Sequence, residues 1–172
     1  MEPSAIDGVA LSMEAVVNEI VKYAETDLVC YRASGPESLV RAEAEARDPI
    51  LAFASNRLRA NFICTEGIGF VEQPATAIAA IRAKVGEVAR RGQTAPFALA
   101  SLSVMTTLTG SVLIALALAE GAISLEEAWR VAHVDEDFEI SLWGIDEEAM
   151  QRRARRFAEM AAADRLWRLI AD

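Results

Sequence analysis

The chain has 172 residues, 53% of them hydrophobic and 25% charged, with 9 Gly and 5 Pro. That balance supports a buried core and excludes a disordered tail, a collagen-like fibre and a low-complexity linker. Lys and Arg number 17 against 26 Asp and Glu, a net charge of -9, and only 6% of residues are aromatic; an acidic surface repels a phosphate backbone and few rings are available to stack on bases, so nucleic-acid binding is not expected.

The first eight residues have neither a basic start nor an apolar run, so they do not read as a signal or transit peptide. Val9, Met13, Val16, Val17, Ile20 and Val21 recur at gaps of three and four, which predicts a helix over 9–24. Cys30 and Cys64 each lie in an apolar tetrad and read as two reduced, buried thiols. Two Cys and the single His133 cannot supply a structural zinc site, and no metal is expected. Ser34-Gly35-Pro36-Glu37 opens a second helix with Pro36 at its first position. That helix should break or bend at Asp48-Pro49, where proline removes a donor and restricts the residue before it. Residues 61–71 mix Phe62, Ile63, Ile68 and Phe70 with Gly67 and Gly69, the pattern of an extended or irregular connection. An amphipathic helix follows over 74–91, with Ile78, Ile81, Val85 and Val88 inward.

Residues 92–119 carry no charge, a stretch long enough to span a bilayer. Ser101, Ser103, Thr106, Thr107, Thr109, Gly110 and Ser111 interrupt it, and only Val112 to Ala119 is continuously apolar. A central helix buried on all sides, closed by Gly121, is the expectation, with no stable membrane insertion. Ser124-Leu-Glu-Glu127 is a capping box, Asp135 to Trp143 reads as acidic and partly extended, and Asp146 caps a last helix reaching about Ile170. The chain is thus expected to be all-α, a single domain over 9–172 with six to seven helices packed around a central uncharged helix, and a monomer.

The catalytic inventory is thin. No glycine-rich phosphate loop or dinucleotide fingerprint occurs, and no cofactor is expected. The densest polar cluster is Asp135, Glu136, Asp137 and Glu139, interleaved with Phe138 and followed by Trp143. A solvated acidic face anchored by its aromatic residues is one reading, and a docking patch for a basic partner surface is another. A small helical metal-dependent hydrolase using Asp135, Glu136, Asp137 and His133 is a third, and a ligand-binding module with a pocket beside the Ser/Thr-rich helix a fourth. Arg152, Arg153, Arg155 and Arg156 form a basic block on the last helix, with Glu148 four residues before Arg152.

Several strings resemble one family in order along nearly the whole chain. They are Tyr23-Ala-Glu-Thr-Asp-Leu-Val-Cys-Tyr-Arg32, Asp48-Pro49, Thr65-Glu66-Gly67-Ile68, Gln73-Pro74, Leu99 to Leu118, Glu120-Gly121, Ser124 to Trp129, Asp135 to Ile140 and Trp143-Gly144. The chain resembles the F-type ATP synthase assembly chaperones that handle the alpha subunit. Two positions depart from the family's pattern: Arg47 stands where Trp is usual, and Glu139 where Gln is common. Members resemble a two-part protein with a β-rich N-terminal domain, so residues 1–8 are expected to be the end of a junction to such a domain, missing here.

The resemblance implies a non-enzymatic chaperone that binds the unassembled alpha subunit and covers its beta-facing surface. It points to Glu136 as the first contact residue, supported by Asp135, Asp137, Phe138 and Trp143. It also implies the bacterial cytoplasm, with the mitochondrial matrix as the alternative.

Overall fold

The computed structural model describes the backbone of residues 5–171 and the side chains of residues 12–171. In chain order it forms α1 (Ala5–Lys22), two 3-10 turns (Tyr23–Thr26 and Leu28–Cys30), β1 (Tyr31–Arg32), α2 (Glu37–Arg57), β2 (Thr65–Glu66) and α3 (Ala75–Ala89). A 3-10 turn (Gly92–Thr94), α4 (Ala95–Thr109), α5 (Val112–Ala119), α6 (Leu125–Ala132), α7 (Val134–Trp143) and α8 (Glu147–Ala171) follow. The all-α expectation holds, with eight helices among the described residues in place of six or seven. Residues 1–4 of the expected junction lie outside the described residues.

The extra helices have identifiable causes. The uncharged stretch is two helices, because Gly110 adopts φ 68 and ends α4. A side chain at that backbone angle costs about 1–2 kcal/mol, which is why glycine occupies the corner. Ser111 then turns extended, and its Oγ accepts the Ile114 N–H at 3.0 Å, starting α5 afresh. The second cause is α7, which is helical throughout where the sequence reads as partly extended.

The central position belongs to α5, whose residues Val112 to Leu118 are all buried. It packs against α2, α4, α6 and α8. The expectation of burial on all sides fails for α4, where Phe97 is 57% exposed and Val104 38%. The hydroxyls of Thr106 and Thr109 donate to carbonyls four residues back, both at 2.7 Å, so these buried polar groups are satisfied within their own helix. No helix among the described residues is long and apolar enough to cross a membrane.

Nor does α2 break at Pro49; it runs through as one helix, with Pro36 preceding its first residue. Pro49 deprives the Glu45 carbonyl of its partner, but both residues are exposed, so water can take that place. Burial of Ala46, Arg47, Ile50 and Phe53 holds the helix together across the interruption. In α3 the inward face is Ala77, Ile81, Val85 and Val88, with Ile78 half-buried.

Asp27 is fully buried and fastens the segment after α1 to the α4–α5 corner. Its carboxylate accepts the Ser111 hydroxyl at 2.6 Å, the Leu113 N–H at 3.1 Å and the Val29 N–H at 3.2 Å. Burial pushes its pKa up to about 6, and the three hydrogen bonds offset that only in part.

The irregular connection between α2 and α3 is as expected, apart from the parallel pairing of β1 with β2. Gln73 clasps it by donating to the Ile63 carbonyl and accepting the Ile63 N–H, both at 2.8 Å. It leaves Ile63, Ile68 and Phe70 exposed. Of the two thiols expected to be buried, Cys30 is buried and Cys64 is exposed, because Cys64 lies in this connection and outside the core.

Candidate functional site

The acidic and aromatic residues singled out from the sequence all fall on α7. Asp135, Glu136 and Asp137 occupy its first turn, where carboxylates favour the positive end of the helix dipole. Val134 is buried and Phe138, one turn on, half-buried, so one stripe of the helix faces the core. The strip is helical because both its electrostatics and its apolar spacing suit a helix.

Consecutive residues on a helix point about 100° apart, so the three carboxylates diverge. Asp135 reaches Arg47 on α2 at 3.0 Å, and Asp137 reaches Arg153 on α8 at 2.6 Å. Glu136 lies between, 3.9 Å from Arg153 and 4.0 Å from His133. Among the described residues no group of three or more His, Cys, Asp or Glu converges to hold a metal ion. The geometry therefore offers the hydrolase reading no ligand set.

His133 is buried, and its Nδ1 lies 2.7 Å from the Trp129 carbonyl oxygen, which only a protonated Nδ1 can satisfy. Burial lowers its pKa, with Arg153 and Arg156 adding to that, so the ring is neutral and Nε2 faces Glu136 without a charge. Its ring also packs against Trp129, with centroids 4.2 Å apart. This histidine positions the start of α7.

Arg47 is the residue whose importance the sequence concealed. Its side chain is wholly buried, 3.3 Å from Glu43 and 3.0 Å from Asp135, and it also donates to the Tyr31 carbonyl at 3.5 Å. Burial raises the pKa of Glu43, and its hydrogen bond to Asp135 adds to this. Burial would raise Asp135 too, but the hydrogen bond from Glu43 and the charge of Arg47 hold it below the usual carboxylate range. Glu43 is thus the member of the pair that keeps a proton longer, and Asp135 stays charged opposite Arg47. This cluster ties α7 to α2, while Arg153 ties it to α8.

The outer end of α7 is of a different character. Leu142 is 58% exposed, Trp143 85% and Ile145 68%, and Gly144 turns the chain there at φ 87. Trp143 stands out in the sequence and its two apolar neighbours do not; the Leu-Trp-Gly-Ile run at a helix end is the signal that marks them. A groove of about 400 Å³ lies between this tip, α2 and the β1–β2 pair, lined by Leu39, Phe138, Leu142 and Trp143 with Asp135 and Glu139. A second, of about 540 Å³, lies between α7 and α8, with Trp129, Ile140, Ile145 and Phe157 as apolar walls. The α7 tip is therefore an apolar projection with grooves on both sides and carboxylates around it.

The basic block on α8 is largely committed to internal contacts. Arg152 pairs with Glu148 at 3.1 Å, Arg153 with α7, and Arg156 donates to the Leu108 carbonyl at 3.1 Å.

The sequence pattern of the ATP12 chaperone protein family matches residues 2–55. The fold is similar to that of Atu1473 from Agrobacterium tumefaciens, at 46% identity and a TM-score of 0.87; the match covers 96% of this chain and 60% of that one. It is also similar to Atp12 from Paracoccus denitrificans and to a mutant of that protein, each at 38% identity, with TM-scores of 0.87 and 0.88. Both matches cover 97% of this chain and 69% of theirs. The chain thus spans between 60% and 69% of the length of these relatives.

Proposed function

The chain belongs to the ATP12 chaperone family, and we propose that it is a non-enzymatic assembly chaperone of the F-type ATP synthase, binding the unassembled alpha subunit and shielding its beta-facing surface. An isolated subunit interface is an aggregation hazard until its true partner arrives. A holding protein needs a complementary surface and no chemistry of its own. Release follows when the beta subunit covers more of the interface than the chaperone does.

The observation that carries this reading is the exposed tip of α7. A tryptophan 85% open to water, with Leu142 and Ile145 beside it, suits an anchor into a client pocket. Glu136, 3.9 Å from its nearest cation, is the least committed carboxylate at the start of the same helix and favours a basic client face, with Asp135 and Asp137, held by Arg47 and Arg153, on either side of it. Phe138 lines one groove. The chaperone acts as a monomer in the bacterial cytoplasm in this reading, with the mitochondrial matrix as the alternative compartment.

Aggregation of separately purified alpha and beta subunits, followed with wild type, Trp143→Ala and Glu136→Lys, tests it. Wild type should protect alpha and leave beta unprotected. Trp143→Ala should melt within about 1 °C of wild type, since little packing is lost at an exposed site, yet bind alpha roughly 30-fold more weakly, the effect of losing an aromatic hot spot. Glu136→Lys should weaken protection in the same direction. Indifference of wild type to alpha would sink the client assignment; full protection by both variants would move the docking surface off α7.

A further inference from the structure

Cys30 ends the second 3-10 turn and Cys64 directly precedes β2. The parallel register sets Tyr31 opposite Thr65, and Cys30 and Cys64 are the residues that directly precede this pair on the two segments. Strand neighbours lie about 5 Å apart, inside the roughly 4.4–6.8 Å between Cα atoms that a disulfide spans. The two thiols are near enough to bias each other's titration, Cys64 raising that of Cys30 and Cys30 lowering that of Cys64. Their accessibility differs, Cys64 being exposed and Cys30 buried. Burial holds both thiols above their ordinary pKa, and the Arg32 guanidinium beside them works in the opposite direction, favouring thiolate.

We propose that Cys30 and Cys64 are a redox-modification site, a reversible disulfide that clips residues 59–73 to the turn ahead of β1. The oxidant is a low-molecular-weight disulfide. The Cys64 thiolate attacks one of its sulfurs, forming a mixed disulfide and expelling the first thiolate. Cys30 loses its proton and attacks the Cys64 sulfur, breaking the mixed disulfide and expelling the second. Two protein thiols become one disulfide, the reagent is reduced to two thiols, and the two protons pass to the expelled thiolates. Without this bond, the Gln73 clasp and the short β1–β2 pairing fasten the connection that displays Ile63, Ile68 and Phe70. The bond would fix it covalently to a fully buried residue. Cys64 is the entry point because reagent reaches it, and Cys30 resolves the adduct because it has no other route to solvent.

The test is treatment of the full chain with oxidised glutathione, then peptide mapping, intact mass and melting with and without dithiothreitol. Wild type should lose two hydrogens in mass, yield a cross-linked Cys30–Cys64 peptide, and melt roughly 5 °C higher until reduced. Cys30→Ser should stop at a stable glutathione adduct on Cys64, and Cys64→Ser should remain unmodified. A wild-type chain that keeps glutathione on Cys64 with Cys30 free overturns the pairing, as do two free thiols after prolonged exposure. A bond that forms without raising the melting temperature overturns the clip. Mapping of wild type and the exposed-site variant Cys64→Ser decides the matter even where Cys30→Ser fails to fold.

Discussion

Arg47→Leu is expected to destabilise the chain by about 3–5 kcal/mol, a fall in melting temperature on the order of 10 °C. The guanidinium is wholly buried and is the cation beside both Glu43 and Asp135. Removing it leaves one carboxyl buried and the other half-buried, facing each other without a cation. A leucine fills part of the volume but none of the charge. The pairing Arg47→Leu with Glu43→Gln should recover part of the loss, because an amide can donate to Asp135 without holding a titratable proton and still accepts from the Ala33 N–H, now 2.8 Å from Glu43. Chemical denaturation of both single variants and the double variant measures the coupling. A loss below about 1 kcal/mol for Arg47→Leu would show that the cluster is a tolerated substitute for apolar packing, with no net contribution.

The second large effect is at Asp27. Asp27→Ala should cost about 3 kcal/mol or more, since a hydroxyl and two backbone N–H groups, all buried, lose their acceptor together. Asp27→Asn should cost less and carries a sharper signature. In the fold Asp27 has a pKa of about 6 against 3.8 as the ordinary value, so between those pH values the folded chain binds more protons than the unfolded one. Its contribution to stability therefore falls as pH rises from about 4 to about 6, by roughly 3 kcal/mol in total. Asparagine has no such titration. The stability gap between wild type and Asp27→Asn should be widest near pH 4 and narrow towards pH 7. Denaturation curves across that range that show the gap widening with pH would mean the hydrogen bonds outweigh burial and Asp27 is ionised throughout.

Local chemistry made much of the fold legible. The Ser124 hydroxyl does accept the Glu127 N–H at 3.1 Å, and Asp146 does accept from Ala149 at 3.1 Å, because a cap and its donor lie three residues apart in sequence. The reciprocal half of the expected capping box is replaced, since Glu127 turns to Arg130 at 2.7 Å. Gly110 is less legible, because one glycine in an apolar run fits a helix interior as readily as a corner. Its choice rests on Asp27, an acceptor more than eighty residues away that holds the start of α5.

The same distance concealed Arg47. Arg47 stands out in the sequence only as a departure from the family's usual Trp, and its burial depends on Asp135, 88 residues later. At the candidate site the residue types were legible and their directions were not. Asp135, Glu136 and Asp137 read as one patch in sequence, whereas the helix aims them at α2, His133 and α8 in turn.

The three indoles of the chain divide unequally between core and solvent. Trp129 and Trp167 are 7% and 5% exposed, while Trp143 is 85% exposed at the tip of α7. Emission from the first two is expected to be blue and shielded, and emission from the third red and open to collisional quenchers such as iodide. The red, quenchable part of the spectrum therefore belongs to one side chain on the proposed docking surface. Occupancy of that surface can be read from the light the chain already emits, with no attached dye.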